Sequence, residues 1–169
     1  MASSPDTVLS EANAVPDGAS LYRELVMTRA RRPERAGALD DADGEGSGTN
    51  PLCGDTVQVW LRRGPDGLVQ DARHRTRGCA ICAAAADLVA DAVVGKDAGA
   101  FALLERRFGT MLQDGPEALS MGDRGAIGFL LALGDLHEYP SRRKCALLPF
   151  SAVRQALVHR PGEPDGGAG

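Results

Sequence analysis

Apolar and polar residues alternate along this chain with two different periods, which separate strands from helices. Val57, Val59 and Leu61 alternate with polar neighbours, which is the two-residue period of a half-buried strand. The turn sequence Gly64-Pro65-Asp66-Gly67 follows, and a second extended stretch covers residues 68–76. This stretch of the pattern therefore predicts a β-hairpin, whose second strand has one solvated face.

Helical periods lie on both sides of this hairpin. The first predicted helix covers residues 21–31, with Ser20 as its N-cap and Pro33 as its stop. After the hairpin, apolar residues recur every three or four positions. They predict helices over residues 80–94, 97–113, 126–136 and 150–159. A group of strands followed by a group of helices predicts an α+β fold, a small antiparallel sheet with helices packed on one face.

Composition sets the expected limits of the domain at residues 20–160. Residues 1–19 and 161–169 are polar or rich in Gly and Pro, so we expect two disordered tails. Residues 36–50 combine glycines with acidic side chains, which predicts a mobile acidic loop. The 169 residues suffice for one domain with a core of its own.

The charge balance argues against a nucleic-acid-binding protein. A net charge of −4 leaves no surplus of Lys and Arg to neutralise phosphates. No stretch approaches the roughly 20 apolar residues that a membrane helix needs. Residues 1–16 lack the basic segment and apolar run of a secretory signal. We therefore expect a cytoplasmic protein that binds neither nucleic acid nor membrane.

Four cysteines are too few for a disulfide scaffold, and in a reducing compartment they indicate metal binding or sulfur chemistry. Any single cysteine is more often a small buried apolar residue. The local sequences shift this balance. Cys53 and Asp55 lie in Asn50-Pro51-Leu52-Cys53-Gly54-Asp55, a predicted tight turn that presents a soft and a hard metal ligand together. Cys-Gly-Asp also occurs in ordinary turns.

Cys79 and Cys82 lie where the predicted hairpin ends and the Ala-rich helix begins. Unpaired backbone N–H groups and the helix dipole favour a thiolate at such a position. A thioredoxin-type redox pair is disfavoured, because no βαβ pattern surrounds the two cysteines. Cys82 could also simply fill a small slot in the core.

Three cations, Arg142, Arg143 and Lys144, immediately precede Cys145. We expect their field to lower the pKa of the Cys145 thiol and to attract an anionic partner. The alternative is a solvated basic turn between helices beside an incidental thiol. We expect structural roles for the three histidines, with His74 on the exposed hairpin strand, His159 in a terminal turn and His137 as a possible hydrogen-bond donor to a metal ligand.

Together, these contexts resemble the SufU/IscU-like proteins of the NifU N-terminal type. Residues 50–55 resemble the first cysteine motif of that family, residues 69–81 the second and residues 144–150 the third. Residues 21–33 resemble its opening helix. The resemblance spans residues 20–160 with order and spacing kept, and it implies the SufE/NifU-like fold.

The resemblance also implies a metal site. In the SufU branch three cysteines and an aspartate hold zinc, which makes Cys53, Asp55, Cys79 and Cys145 the expected ligands. Cys145 is then the best candidate to accept sulfur, as a persulfide, from a SufS-like cysteine desulfurase. The protein would thus act as a zinc-dependent sulfurtransferase together with that enzyme.

Two features favour the SufU branch over the IscU branch. Lys144 stands where IscU-type scaffolds carry a histidine, and the segment between the second and third motifs is long. Arg142 matches a basic position that the SufU branch uses toward the desulfurase. The chain departs from the family at Cys82, where a small hydroxyl residue is expected. This thiol could compete as a ligand or relay a persulfide.

Two alternatives remain open. The same four side chains could hold iron as a [2Fe–2S] cluster, with Asp55 easing its release to downstream iron–sulfur assembly proteins. The protein would then be an IscU-like scaffold. It could instead be a structural zinc module that mediates protein contacts without sulfur transfer.

Overall fold

The computed structural model describes residues 18–160, which form three strands and five α-helices. Helix α1 (Gly18–Arg31) precedes strands β1 (Gly44–Asn50), β2 (Asp55–Arg63) and β3 (Val69–Arg77). The remaining helices are α2 (Ala80–Val93), α3 (Ala98–Asp114), α4 (Met121–Ile127) and α5 (Pro140–Val158), with 3₁₀ segments at Pro116–Ala118 and Gly128–Glu138. The tails predicted at residues 1–19 and 161–169 lie outside the described residues, except that residues 18 and 19 belong to α1.

The strands form one antiparallel sheet in the order β1-β2-β3. Val59 pairs with Gly46 on one side and with His74 on the other. Helix α5 packs along β1 and β2, and α2 packs against β3. The predicted α+β fold, with an antiparallel hairpin and helices on one face of the sheet, is therefore confirmed.

Strand β1 corrects part of the predicted loop over residues 36–50, because residues 44–50 form a strand. A Cβ atom on Gly44 would lie 2.2 Å from the carbonyl oxygen of Ala156, and one on Gly46 would lie 2.1 Å from that of Ala152. These glycines therefore allow the strand to approach the backbone of α5 more closely than any side chain would permit. Glycine here marks close packing rather than a loop.

Three helix predictions also need correction. Helix α5 begins at Pro140, ten residues before the predicted start at Phe150, and it continues through Pro149. Pro149 cannot donate to the carbonyl of Cys145, so the sequence pattern breaks where the helix does not. The helix predicted over 126–136 is instead the end of α4 followed by a 3₁₀ segment. Ser20 lies inside α1 rather than at its N-cap.

A stack of phenylalanines fills the centre of the core. The ring of Phe150 on α5 lies 5.5 Å from that of Phe101 and 4.8 Å from that of Phe108, measured between centroids. The Ala-rich helix α2 is buried along most of its length, so the helices can approach one another closely. Among residues 18–160, no helix combines the length and the apolar character needed to cross a membrane.

A buried charged cluster fixes α1 to the rest of the domain. Asp87 on α2 is fully buried and accepts hydrogen bonds from Arg29 at 2.7 Å and from the backbone N–H groups of Glu34 and Arg35 at 3.0 and 2.7 Å. His74 Nε2 lies 3.0 Å from Asp87 Oδ1. His74 is 3% exposed, which corrects its predicted place on the exposed hairpin strand, because His74 and Ala72 are both buried on the inner face of β3.

Candidate metal centre

Three separate parts of the fold bring the candidate ligands to one end of the sheet. Cys53 lies in the turn between β1 and β2, and Asp55 is the first residue of β2. Cys79 is the N-cap of α2, directly after β3, and Cys145 lies in the second turn of α5. The short turn and the short β3–α2 connection place these side chains where the strand ends meet the helix, so their convergence follows from the topology.

The donor atoms of Cys53, Asp55 and Cys145 all lie within 4.8 Å of one another. Cys79 Sγ joins this group through Asp55, whose Oδ2 lies 4.0 Å away. Ligands at 2.0–2.3 Å around a tetrahedral ion are about 3.3–3.8 Å apart. The donor atoms of Cys53, Asp55 and Cys145 therefore stand within about 1 Å of the spacing that a tetrahedral ion such as zinc would require, whereas Cys79 Sγ lies outside this group of three and 4.0 Å from Asp55 Oδ2. Three thiols with one carboxylate suit that ion chemically.

Asp55 is the centre of this arrangement and is held from two sides. The side chain of Cys53 donates to Oδ2 at 3.2 Å, and the backbone N–H of Cys79 donates to Oδ1 at 3.3 Å. A Cβ atom on Gly78 would lie 2.4 Å from Oδ1. Asp55 is 3% exposed. Gly78 thus provides the space in which this buried carboxylate lies.

The Cys145 thiol does not have the low pKa that the preceding cations predicted. Burial raises its pKa, and the adjacent Asp55 carboxylate and Cys79 raise it further. Arg142 and Lys144 are exposed to solvent, and the Arg143 guanidinium donates to the backbone carbonyl of His137. Burial and the neighbouring Asp55 and Cys79 therefore decide the direction of the shift, and the prediction that the cations lower the pKa of the Cys145 thiol is wrong.

Cys82 lies beneath the site rather than at its opening. Its side chain is fully buried, and burial, together with the negative field of Asp55, Cys79 and Cys53, raises its pKa to about 12. Its backbone N–H donates to Cys79 Sγ at 3.4 Å. Cys82 is not among the residues whose donor atoms converge within 4.8 Å.

The opening of the site also includes residues that the sequence motifs did not single out. Arg77, Gly78 and Ser141 border it together with Arg142 and the four candidate ligands. Arg77 is the last residue of β3 and could have been found from its place two residues before Cys79. Ser141 could not, because its position depends on the unpredicted first turn of α5.

His137 was predicted as a hydrogen-bond donor to a metal ligand, but its Nδ1 has a partner on the backbone. Its Nδ1 lies 2.9 Å from the carbonyl oxygen of Gly134, within its own 3₁₀ segment. His159 makes a similar contact, with Nδ1 3.1 Å from the carbonyl oxygen of Gln155. These contacts give each ring a local backbone partner.

Comparison with known proteins shows the family to which the domain that carries this site belongs. A family model, the NifU-like N terminal domain, matches residues 21–157. The chain belongs to the NifU-like N-terminal domain family. That match includes all four candidate ligands, so the converging thiols and carboxylate lie within the family's domain rather than in an appended segment.

Individual members of the NifU-like family are similar over most of their length. The zinc-dependent sulfurtransferase SufU of Bacillus subtilis is 28% identical over 145 residues, covering 85% of this chain and 93% of that protein. The iron-sulfur cluster assembly scaffold protein IscU of Thermotoga maritima is 31% identical over 147 residues, covering 83% and 96%. The N-terminal part of a nitrogen-fixing NifU-like protein from Brucella abortus superposes with a TM-score of 0.65 at 28% identity, covering 80% and 91%.

Proposed function

We propose that this protein is an iron–sulfur cluster assembly protein of the SufU type, which holds zinc and accepts sulfur from a cysteine desulfurase. The observation that carries the proposal is the convergence of Cys53, Asp55 and Cys145 within 4.8 Å, with Cys79 Sγ 4.0 Å from Asp55. The name of the Bacillus subtilis relative, zinc-dependent sulfurtransferase, supports the same assignment.

Zinc would be held by Cys53, Asp55, Cys79 and Cys145. When bound, the ion would supply positive charge that keeps thiols deprotonated near neutral pH. This matters most for Cys145, because burial and its anionic neighbours raise the pKa of that thiol. The carboxylate gives the set one hard ligand among three soft ones, and its hydrogen bond with Cys53 holds the first cysteine near the group.

The sulfur-transfer step needs one nucleophilic sulfur on this chain, which we assign to Cys145. Its thiolate attacks the terminal sulfur of the cysteine persulfide on the desulfurase. A sulfur–sulfur bond forms at Cys145, the sulfur–sulfur bond of the donor breaks, and the donor cysteine leaves as a thiolate that takes up a proton. No net oxidation occurs, because one persulfide replaces another.

The partner would reach this sulfur from the side that Arg142 borders. Arg142 and Arg77 are exposed at the opening of the site, and Lys144 is exposed on the same turn of α5. Three cations around a buried thiol suit an anionic surface on the desulfurase and would hold the negatively charged persulfide. Arg142→Ala should therefore slow sulfur transfer without removing the metal.

The test is mass spectrometry of the full chain after incubation with a cysteine desulfurase and cysteine. The wild type should gain one sulfur atom on Cys145, and Cys145→Ser should lose this gain. Cys53→Ser is the matched control, because Cys53 is the more exposed thiol of the two. Sulfur that remains on the chain in Cys145→Ser and disappears in Cys53→Ser would assign the acceptor role to Cys53 instead.

An IscU-like scaffold for a [2Fe–2S] cluster is the second candidate, favoured by the 31% identity to the Thermotoga maritima scaffold. The same thiols and carboxylate could ligate a cluster, and a carboxylate ligand would ease its transfer to downstream assembly proteins. Iron and acid-labile sulfide in equal amounts in the purified protein would favour this candidate. Zinc without sulfide would favour the first.

A further inference from the structure

The two cysteines of the sequence Cys79-Ala80-Ile81-Cys82 share the first turn of α2. Cys79 is the N-cap residue, and Cys82 is the third residue of the helix. The backbone N–H of Cys82 donates to Cys79 Sγ at 3.4 Å. The sulfur of Cys79 therefore already lies over the turn that carries Cys82.

This spacing is close to the geometry of a disulfide. Residues three apart on a helix have Cβ atoms about 5–6 Å apart, whereas a disulfide needs about 3.5–4.5 Å. A movement of about 1 Å would close the difference. Cys79 precedes the helix with an extended backbone (φ −69°, ψ 166°), and its carbonyl accepts from the N–H of Ala83 at 3.0 Å.

The proposed sulfur transfer makes no use of Cys82. Its side chain is fully buried in the core, on the first turn of α2. Cys79, in contrast, is partly exposed at the opening of the site. When an accessible cysteine such as Cys79 is oxidised, a protected thiol directly behind it, here Cys82, can react with it to form a disulfide.

We propose that Cys79 and Cys82 form a reversible disulfide when a hydroperoxide oxidises the site. The bond removes Cys79 from the ligand set and protects its sulfur from irreversible oxidation. This inference rests on the geometry of one helix turn, so it holds for zinc or iron and does not depend on sulfur transfer.

The reaction has two steps with hydrogen peroxide as oxidant. The thiolate of Cys79 attacks one peroxide oxygen, a sulfur–oxygen bond forms, the oxygen–oxygen bond breaks, and the released hydroxide becomes water. Cys82 then attacks the sulfenic sulfur, a sulfur–sulfur bond forms, and the hydroxyl group leaves as water with the Cys82 proton. Two thiols lose two electrons in total, and one peroxide becomes two waters.

The chain's own cleavage sites make the test direct. Trypsin separates the cysteines into three peptides, residues 36–62 with Cys53, residues 78–96 with both Cys79 and Cys82, and residues 145–154 with Cys145. The full chain, with its metal as isolated, is treated with hydrogen peroxide, alkylated and digested. We expect peptide 78–96 to be lighter by two hydrogens and unalkylated, and to regain two alkylated thiols after dithiothreitol.

Cys82→Ala is the variant that separates a resolving thiol from a bystander, and alanine matches the small neighbours of Cys82 on α2. In this variant, peptide 78–96 should accumulate sulfinic acid that dithiothreitol does not reverse, and metal released to a chromophoric chelator should not rebind after reduction. Cys53→Ser should still form the bond within peptide 78–96. A bond between peptides 36–62 and 145–154, or equal sulfinic acid at Cys79 in wild type and Cys82→Ala, would overturn the proposal.

Discussion

Gly78→Ala tests whether the space beside Asp55 holds the carboxylate in a ligand position. The added Cβ atom would lie 2.4 Å from Asp55 Oδ1, 2.7 Å from Cγ and 3.1 Å from Cβ. The whole side chain of Asp55 would therefore have to move, rather than one flexible end. Gly78 does not need a positive φ, so the variant tests space and not backbone strain.

The expected loss of metal affinity follows from the overlap between the added Cβ atom and the Asp55 carboxylate. Non-bonded carbon and oxygen atoms approach to about 3.3 Å, so the carboxylate oxygen must move by about 1 Å. A bound metal tolerates deviations of about 0.2 Å in its ligand distances. We therefore expect the variant to lose the carboxylate as a ligand and to bind metal about 10- to 100-fold more weakly, the usual cost when the groups that orient ligands are altered.

Competition with a chromophoric zinc chelator measures this loss for Gly78→Ala beside wild type. Gly109→Ala is the matched control, because no atom outside its own helix lies within 4 Å of its added Cβ on α3. The control should bind metal as wild type does and gain about 0.5–1 kcal/mol of stability from replacing a helical glycine. Unchanged metal affinity in Gly78→Ala would refute the role assigned to Asp55.

Three further predictions concern the fold and the partner. Gly46→Ala should lower the free energy of unfolding, measured in urea, by about 2–3 kcal/mol or more, since its Cβ would lie 2.1 Å from the carbonyl oxygen of Ala152. Wild-type stability in this variant would contradict the close approach of β1 and α5. Burial alone would raise the pKa of Asp87, but hydrogen bonds from His74 and Arg29 outweigh it and hold the pKa at about 2, below the ordinary 3.8. Ionised Asp87 therefore contributes about 2 kcal/mol to the free energy of unfolding above about pH 4, and this contribution is lost as the pH falls toward 2. Urea unfolding of the wild type at several pH values should show this loss. An equal loss in Asp87→Asn would exclude Asp87 as its source. Arg142→Ala should reduce the rate of sulfur transfer several-fold in the presence of the desulfurase with its metal content unchanged, whereas Arg154→Ala, on an exposed part of α5, should not.

The parts of the fold that depend on local patterns could be predicted from the sequence. The alternation of Val57, Val59 and Leu61 and the turn at residues 64–67 specify the hairpin, and the change to an Ala-rich run specifies the start of α2. The cysteine contexts selected Cys53, Asp55 and Cys145, whose donor atoms lie within 4.8 Å of one another. Cys53, Asp55 and Cys79 lie at element boundaries that the patterns mark, whereas Cys145 does not.

The remaining features depend on contacts between distant segments. Gly44 and Gly46 have a loop-like local sequence, and only the approach of α5 shows why glycine is needed there. Pro149 hides the continuity of α5, so Cys145 was expected beside a basic turn rather than within a helix. His74 is buried because Asp87, thirteen residues away, supplies its partner. None of these contacts leaves a periodic pattern in the sequence.

The central claim is that Cys53, Asp55, Cys79 and Cys145 surround one metal ion. X-ray absorption spectroscopy of protein purified without added metal tests it most directly, because the method identifies the metal and its ligand atoms together. We predict zinc with three sulfur ligands at about 2.3 Å and one oxygen at about 2.0 Å. A shell of four sulfurs, which would bring Cys82 into the site, or protein without bound metal would contradict this claim.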